Sequence, residues 1–236
     1  MNSTPTMSLE VDCFIPPLEL RWDLLTMNWW AKILRLSDDH PLRSQCMNMI
    51  PSGSYSFLAR CKNFQGRRYM KQLSANLNDS AIPILEIKKE ICQVVQSEWS
   101  RRWSSQRIYD DIGRHLFDLV PEPVKNAYQW SRSRRFSTLR CRLRHGHCDL
   151  NEHLHRMNFA DNPSCPHCPE TETVEHYLLC CPHYHAARSE LLKCVPDNKV
   201  ATMAILCATD TDLTLPQRLK CVRALEKYLV DTERFD

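Results

Sequence analysis

The residue types and spacing between positions 165 and 181 are typical of a metal site. A Cys-Pro-His-Cys tetrapeptide, Cys165–Cys168, is followed after seven residues by His176 and, after four more residues, by Cys181. Thiolates and an imidazole from two short segments form the four-ligand tetrahedral shell of structural Zn²⁺ sites. A catalytic zinc usually keeps one position open for water, so this closed shell predicts a structural zinc and no hydrolase.

The spacing alone leaves the fourth ligand open. Segment 171–182 predicts a short helix ended by Pro182, in which Cys180 lies one helical turn after His176 and Cys181 lies at the helix end. Three more imidazoles are also within reach, those of His167, His183 and His185. The alternative is a cluster of unligated cysteines that pack as small hydrophobic side chains.

A basic stretch, residues 123–148, precedes this segment and contains no acidic residue. Guanidinium groups pair with phosphates, and the interleaved aromatic rings can stack on unpaired bases. The candidate nucleic-acid contacts are Arg132, Arg134, Arg135, Arg140, Arg142, Arg144, Tyr128 and Trp130. Because arginines without acidic neighbours repel one another, we expect an anion against them, with RNA favoured over DNA. The alternative is a solvated helix beside the zinc unit.

Helical periodicity dominates the elements that must position these residues. A helix starting after Pro17 carries an apolar stripe that we expect to be buried in a local core, with a partner-docking face as the alternative. That stripe is Leu18, Trp22, Leu25, Trp29, Ile33 and Leu36. A second helix, opened by Pro83, has the face Ile84, Ile87, Ile91, Val95, Trp99 and Trp103. Segments 186–194, 200–208 and 216–230 are expected to be packing helices.

These patterns predict a mainly α fold, a small helical bundle around a zinc knuckle with a separate N-terminal helical segment. The predicted division is a helical segment at 1–41, a linker at 42–82 and a basic, zinc-binding helical domain at 83–236. The linker is predicted because helical periodicity fades there and polar turns interrupt it.

Composition narrows the function classes. The chain has 236 residues, a net charge of +3, 13 cysteines and four glycines, too few for Gly-rich phosphate loops or a Rossmann fingerprint. An odd cysteine count without a signal-peptide pattern indicates a reduced compartment, so we expect an intracellular protein, nuclear or cytoplasmic. No apolar stretch is long enough for a bilayer, so no membrane partner is expected.

The segment 108–111 resembles a polymerase aspartate pair only superficially, because no third carboxylate is placed to share two metals.

Three segments together resemble the C-terminal tail of the reverse-transcriptase polyprotein of non-LTR retrotransposons of the jockey and I type. They are 138–147, 153–157 and 165–184. In that family a basic helix with the pattern R-L-R-x-G-H precedes a zinc knuckle that ends in T-V-E-H-x-L-x-x-C-P. Residues 15–21 with 40–42 resemble the connecting segment after the polymerase thumb, and 98–103 resembles the segment after the RNase H domain.

The resemblance implies a ligand set of Cys165, Cys168, His176 and, as the cysteine directly before proline, Cys181. It also implies a nucleic-acid-binding role, which in the parent polyprotein would be to hold template RNA or target DNA. The Asp-Asp motif of the polymerase palm is missing, and the region between Leu42 and Pro83 is too short for an RNase H sheet, so we expect no enzyme. The rival interpretation is a zinc-stapled structural or protein-interaction module, and a third is a decayed remnant without selected function.

Overall fold

The computed structural model describes residues 6–48, 57–63, 77, 79, 81–109, 114–123 and 133–236. The helices in chain order are α1 (Thr6–Asp12), α2 (Leu18–Leu34), α3 (Pro41–Asn48), α4 (Phe57–Asn63), α5 (Ile84–Tyr109), α6 (Arg114–Leu119), α7 (Arg134–His145), α8 (Asn151–Arg156), α9 (His185–Leu192), α10 (Met203–Leu206) and α11 (Leu215–Asp231). A π-helical turn, His176–Cys180, and a 3₁₀ turn, Pro182–Tyr184, lie between α8 and α9. The mainly α prediction is confirmed.

The chain divides into two compact units. The C-terminal unit consists of Met1–Phe14 and Arg107–Asp236, and the N-terminal unit is Ile15–Gln106. The predicted linker 42–82 contains α3 and α4, and most of its remainder lies outside the described residues. The predicted domain boundaries therefore stay a prediction. None of the described helices has the length and apolar character needed to cross a membrane.

The N-terminal unit is built around the apolar face predicted for α5. Ile87, Ile91 and Trp99 are fully buried there, because residues four apart align on one side of a helix. Buried charges in this unit are paired. Asp23 of α2 is fully buried and accepts a hydrogen bond from Arg60 at 3.0 Å.

The prediction that the whole apolar stripe of α2 is buried in a local core is wrong. Leu18, Trp22, Leu25 and Trp29 are exposed by 57%, 48%, 59% and 57% of their surface. The helix instead buries another side, lined by Leu20, Met27, Ala31 and Leu34. Because α2 has apolar residues on two faces, its periodicity could not indicate which face would enter the core.

The core of the C-terminal unit joins α7, the π-helical turn and α11. Leu143 of α7, Tyr177 of the turn and Tyr228 of α11 are each no more than 1% exposed. The Tyr228 hydroxyl donates a 2.6 Å hydrogen bond to the backbone oxygen of Tyr177. The ring of Tyr177 meets those of Tyr228 and Tyr184 edge-on, with centroids 5.2 and 5.3 Å apart. A rigid aromatic layer therefore lies beneath the π-helical turn.

Local sequence signals fix the ends of the two longest helices of this unit. Helix α11 starts with a capping box, in which the side chains of Thr214 and Gln217 satisfy each other's backbone N–H groups. Helix α7 ends at Gly146, whose φ of 65° suits a residue without a Cβ. A Cβ at this position would lie 2.5 Å from Cδ2 of His115. Gly146 therefore allows both the left-handed turn that ends α7 and the close approach of His115 from α6.

Candidate metal centre and basic helix

The first two candidate ligands lie on a short folded-back loop. Ser164 and Thr171 form an isolated antiparallel bridge, and the backbone N–H of Cys165 donates to the oxygen of Glu170 at 2.7 Å. This closes the loop tightly around Cys168. The side chains of Cys165 and Cys168 are therefore presented from a turn that local hydrogen bonds hold in place.

The other two candidate ligands are presented by the π-helical turn. The backbone N–H of Cys181 donates to the oxygen of His176 at 2.8 Å, so the hydrogen bond joins residues five apart. In an α-helix the residue above His176 would be Cys180, four positions on. The wider turn brings Cys181 next to His176 instead and leaves Cys180 exposed. Such turns often occur at functional sites.

The four side chains converge. One ligand atom from each of Cys165, Cys168, His176 and Cys181 lies within 4.8 Å of all the others. The Sγ atoms of Cys165 and Cys181 are 3.8 Å apart, and Sγ of Cys168 is 3.2 Å from Nε2 of His176. Cys181 is fully buried, while Cys165 and His176 are 6% and 7% exposed. This cluster could hold a metal ion.

The donor atoms of the cluster are three thiol sulfurs and one imidazole nitrogen, which suit a soft or borderline metal ion. Burial raises the pKa of the Cys165 thiol to about 11, although the backbone N–H of His167 acts in the opposite direction. A metal ion would displace that proton and bind the thiolate. The backbone N–H of His176 donates to Oγ1 of Thr173 at 3.0 Å, and its Nε2 lies 3.2 Å from Sγ of Cys168.

Two other imidazoles form a separate pair beside the cluster. The rings of His167 and His183 stack with centroids 3.6 Å apart and planes 7° from parallel, and both residues are exposed. Burial and the neighbouring His183 lower the pKa of His167. The sequence placed these residues within reach of the metal, but neither belongs to the four-residue cluster. They present a flat ring surface to solvent instead.

A buried carboxylate that the sequence analysis missed ties the metal loop to distant segments. Glu172 is fully buried and accepts hydrogen bonds from Arg234 Nε and an Arg234 guanidinium nitrogen at 2.7 and 2.6 Å. It also accepts the backbone N–H of Asn151, at the start of α8, at 2.7 Å. Glu172 is one of several acidic residues in its segment, so no sequence signal distinguished it.

The basic helix divides into an exposed side and a buried side. Arg134 is exposed, and the side chains of Arg135 and Arg142 are 56% and 48% exposed. Arg140 and Arg144, which were predicted to contact nucleic acid, are instead 2% and 1% exposed and lie in the interior. The remaining predicted contacts lie outside the described residues: Tyr128, Trp130 and Arg132.

Asp12 of α1 accounts for the burial of Arg144. Its carboxylate accepts from Nε and a second guanidinium nitrogen of Arg144 at 2.8 and 3.0 Å. The acidic neighbour that the stretch 123–148 lacks thus comes from 132 positions earlier in the chain. Burial alone would raise the pKa of Asp12, but the His145 imidazole 3.6 Å away and the charge and hydrogen bonds of Arg144 hold this pKa well below its usual range.

Asp12, Cys141 and His145 also bring three potential ligand atoms within 4.8 Å of one another. Arg144 already neutralises the carboxylate of this group. A cation placed there would lie beside the guanidinium, with Arg140 also buried nearby. Electrostatic repulsion therefore argues against a metal, and we assign the group a structural role that anchors α1 to α7.

Comparison with known proteins shows a relationship to retroelements. The chain is 25% identical over 150 residues to a retrovirus-related Pol polyprotein from the type-1 retrotransposable element R1 4 of Nasonia vitripennis. The match covers 61% of this chain and 37% of that polyprotein. No protein-family profile matches the chain, and no solved structure matches it. The similarity supports an origin of this chain in a retrotransposon Pol polyprotein.

Proposed function

We propose that the C-terminal unit is a non-catalytic, zinc-stabilised nucleic-acid-binding module, which binds RNA in preference to DNA. The observation that carries this proposal is the convergence of Cys165, Cys168, His176 and Cys181 in the same unit as the exposed arginines of α7. The similarity to a Pol polyprotein is consistent with a nucleic-acid partner. The resemblance to jockey and I type elements would place this module at the end of such a polyprotein.

Zinc is the metal that fits the donor set best. Three sulfurs and one imidazole nitrogen are soft to borderline ligands, which exclude Mg²⁺ and Ca²⁺ as the preferred ions. Zn–S bonds of about 2.3 Å in a tetrahedron separate two sulfurs by about 3.8 Å. The Sγ atoms of Cys165 and Cys181 are 3.8 Å apart. With four protein ligands the ion would have no open position, so it would stabilise the loop and supply no reaction.

The nucleic-acid surface would consist of Arg134, Arg135 and Arg142. Their guanidinium groups can exchange surface ion pairs for phosphate contacts at little cost, because exposed ion pairs contribute little to stability. Arg142 meets Asp149 at 3.4 Å, and Arg135 meets Asp236 at the chain terminus. The stacked imidazoles of His167 and His183 add a planar surface on which an unpaired base could stack.

A zinc-stapled interaction module remains the second candidate function. The specific observation in its favour is the burial of Arg140 and Arg144, since two of the six predicted arginine contacts serve the fold of the unit. Under this alternative the exposed arginines keep the surface soluble or meet an acidic protein, and RNA affinity would be weak and unselective.

Binding of a fluorescent single-stranded RNA at several salt concentrations tests the proposal. We expect affinity to fall steeply with salt, because each phosphate contact releases a counterion. Replacing Arg134, Arg135 and Arg142 together by glutamine should flatten the slope of log K against log salt by about 2, or about 0.7 per lost contact. Metal content should stay unchanged.

The matched control removes three exposed cations from α11 by replacing Lys220, Arg223 and Lys227 with glutamine. It lowers the net charge equally, so an equal loss of affinity would show unspecific attraction and refute the α7 surface. A wild-type chain that does not bind RNA or DNA, with its metal present, would favour the interaction module. Tighter binding to duplex DNA than to RNA would refute the stated preference.

A further inference from the structure

Helix α2 carries a second apolar face that is about half exposed. Leu18, Trp22, Leu25 and Trp29 are about half exposed or more, and Ile15, just before the helix, is 47% exposed. Isolated apolar side chains on a surface need no explanation, but a continuous stripe along one helix typically marks an interaction site. We therefore expect a binding partner to cover the exposed apolar face of α2 in the functional state of the protein.

The spacing of the stripe is that of a helix–helix seam. Successive members are separated by three, four, three and four positions, which is the alternation of the a and d positions of a heptad. Within the helix, Trp22 and Trp29 occupy a positions and Leu18 and Leu25 occupy d positions, while Ile15 precedes the helix. The flanks of the stripe are polar and carry charges of both signs, with Glu19 on one side and Arg21 and Lys32 on the other.

We propose that this face is the interface of a homodimer, in which α2 packs antiparallel against α2 of a second copy of the chain. In an antiparallel seam, a positions face d positions of the partner helix. With Trp22 opposite Leu25, the symmetry places Trp29 opposite Leu18, so the four layers within the helix each pair one tryptophan with one leucine. A parallel arrangement would place each tryptophan against itself.

The charges and the area agree with a second copy as the occupant. In an antiparallel pair each flank of the stripe faces the same flank of the partner, so Arg21 lies nearest Asn28 and Glu19 nearest Thr26, and neither has a like charge as its nearest neighbour. From their exposed fractions, the five apolar side chains would bury about 500 Å² per copy. Two copies would thus bury about 1,000 Å² from these side chains alone, the lower bound for a specific interface. A reversible dimer is expected.

The alternative occupant, a single-stranded nucleic acid, fits the face less well. Bases stack on free ring faces, but Nζ of Lys32 lies 4.4 Å from the ring centroid of Trp29, and the guanidinium of Arg60 lies 4.9 Å from that of Trp22. The intervening leucines also offer nothing to a base or a phosphate. An apolar helix of a second chain would contact every side chain of the stripe.

Sedimentation of the metal-loaded full chain in reducing buffer tests the proposal. We expect the average mass to rise from the 27.7 kDa monomer toward twice that value over about 1–100 μM. Leu25→Glu should keep the chain monomeric throughout this range. The matched control is Val200→Glu, since Val200 is 82% exposed in the C-terminal unit and its replacement should leave the dimer intact. Circular dichroism checks that both variants keep their helix content.

Mixing variants tests the antiparallel register. The Leu25→Glu chain mixed with a Trp22→Lys chain should recover a dimer, because the two new charges face each other in one antiparallel layer. Recovery from mixing Leu25→Glu with Leu25→Lys chains instead would indicate a parallel seam and overturn the register. A wild-type chain that stays monomeric at 100 μM, or loss of the dimer in Val200→Glu as well, overturns the dimer. Loss of RNA affinity on Trp22→Ala in a monomeric chain would assign the face to nucleic acid.

Discussion

Replacing Asp12 by asparagine is expected to destabilise the C-terminal unit by about 3–5 kcal/mol. Asp12 and Arg144 are 2% and 1% exposed and are joined by two hydrogen bonds of 2.8 and 3.0 Å. Asparagine keeps the shape of the side chain but leaves the guanidinium buried without the carboxylate. Breaking one side of a buried pair is costly for this reason, whereas replacing both partners by apolar groups is often close to neutral.

The measurement is urea unfolding of metal-loaded protein followed by circular dichroism, with hydrogen exchange of the α7 amides to locate the effect. Asp149→Asn is the matched control, because Asp149 pairs with Arg142 at 3.4 Å with both side chains about half exposed. It should give no measurable change. The double variant Asp12→Leu with Arg144→Met should recover most of the stability lost in Asp12→Asn.

The pH dependence follows from the lowered pKa of Asp12. A carboxylate whose pKa is lower in the folded than in the unfolded state stabilises the fold fully above its unfolded value, here 3.8, and progressively less as pH falls below it. The stability difference between wild type and Asp12→Asn should therefore shrink on acidification below about pH 4. Asp12→Asn as stable as Asp149→Asn at neutral pH would refute the buried pair as an anchor.

Three further predictions concern the metal, the α7 cap and the aromatic layer. Cys181→Ser should lower bound zinc well below one ion per chain by elemental analysis, whereas Cys180→Ser should retain it; equal loss would show a misassigned ligand. Gly146→Ala should destabilise the protein by more than about 1 kcal/mol in urea unfolding, and His115→Ala in the same chain should recover the part due to the clash. Tyr228→Phe should cost about 1–3 kcal/mol by removing a buried donor, and a change within error would contradict that hydrogen bond.

Periodic elements were predictable from the sequence because their signal is local. The buried face of α5 follows from apolar residues at helical spacing. The capping box of α11 follows from a threonine and a glutamine three positions apart, Thr214 and Gln217. The two cysteines of the metal loop were equally visible as a pair with short spacing. These features depend on neighbours within a few positions, so the order of residues is enough to indicate them.

The features that escaped prediction depend on contacts between distant positions or on irregular turns. Asp12 lies 132 positions from Arg144, so the charge that draws this arginine inside is invisible in the basic stretch itself. Spacing alone left Cys180 and Cys181 open beside His176, because the choice depends on an irregular π-helical turn, and only the family resemblance named Cys181. The exposed stripe of α2 had the same periodicity as a buried one, because both patterns repeat every turn.

The loop of the candidate metal site and the basic helix share the core of the C-terminal unit but are held by different polar contacts. The loop depends on the four converging ligands and on Glu172, whose carboxylate binds Arg234 and the backbone of Asn151. Helix α7 is instead anchored by Leu143 in the core and by the buried pair with Asp12. If the cluster holds a metal as proposed, its loss should loosen the loop first and leave the exposed arginines of α7 in place. Under our proposal, RNA affinity that persists after chelation would come from α7, and the part that is lost would come from the imidazole surface of the loop.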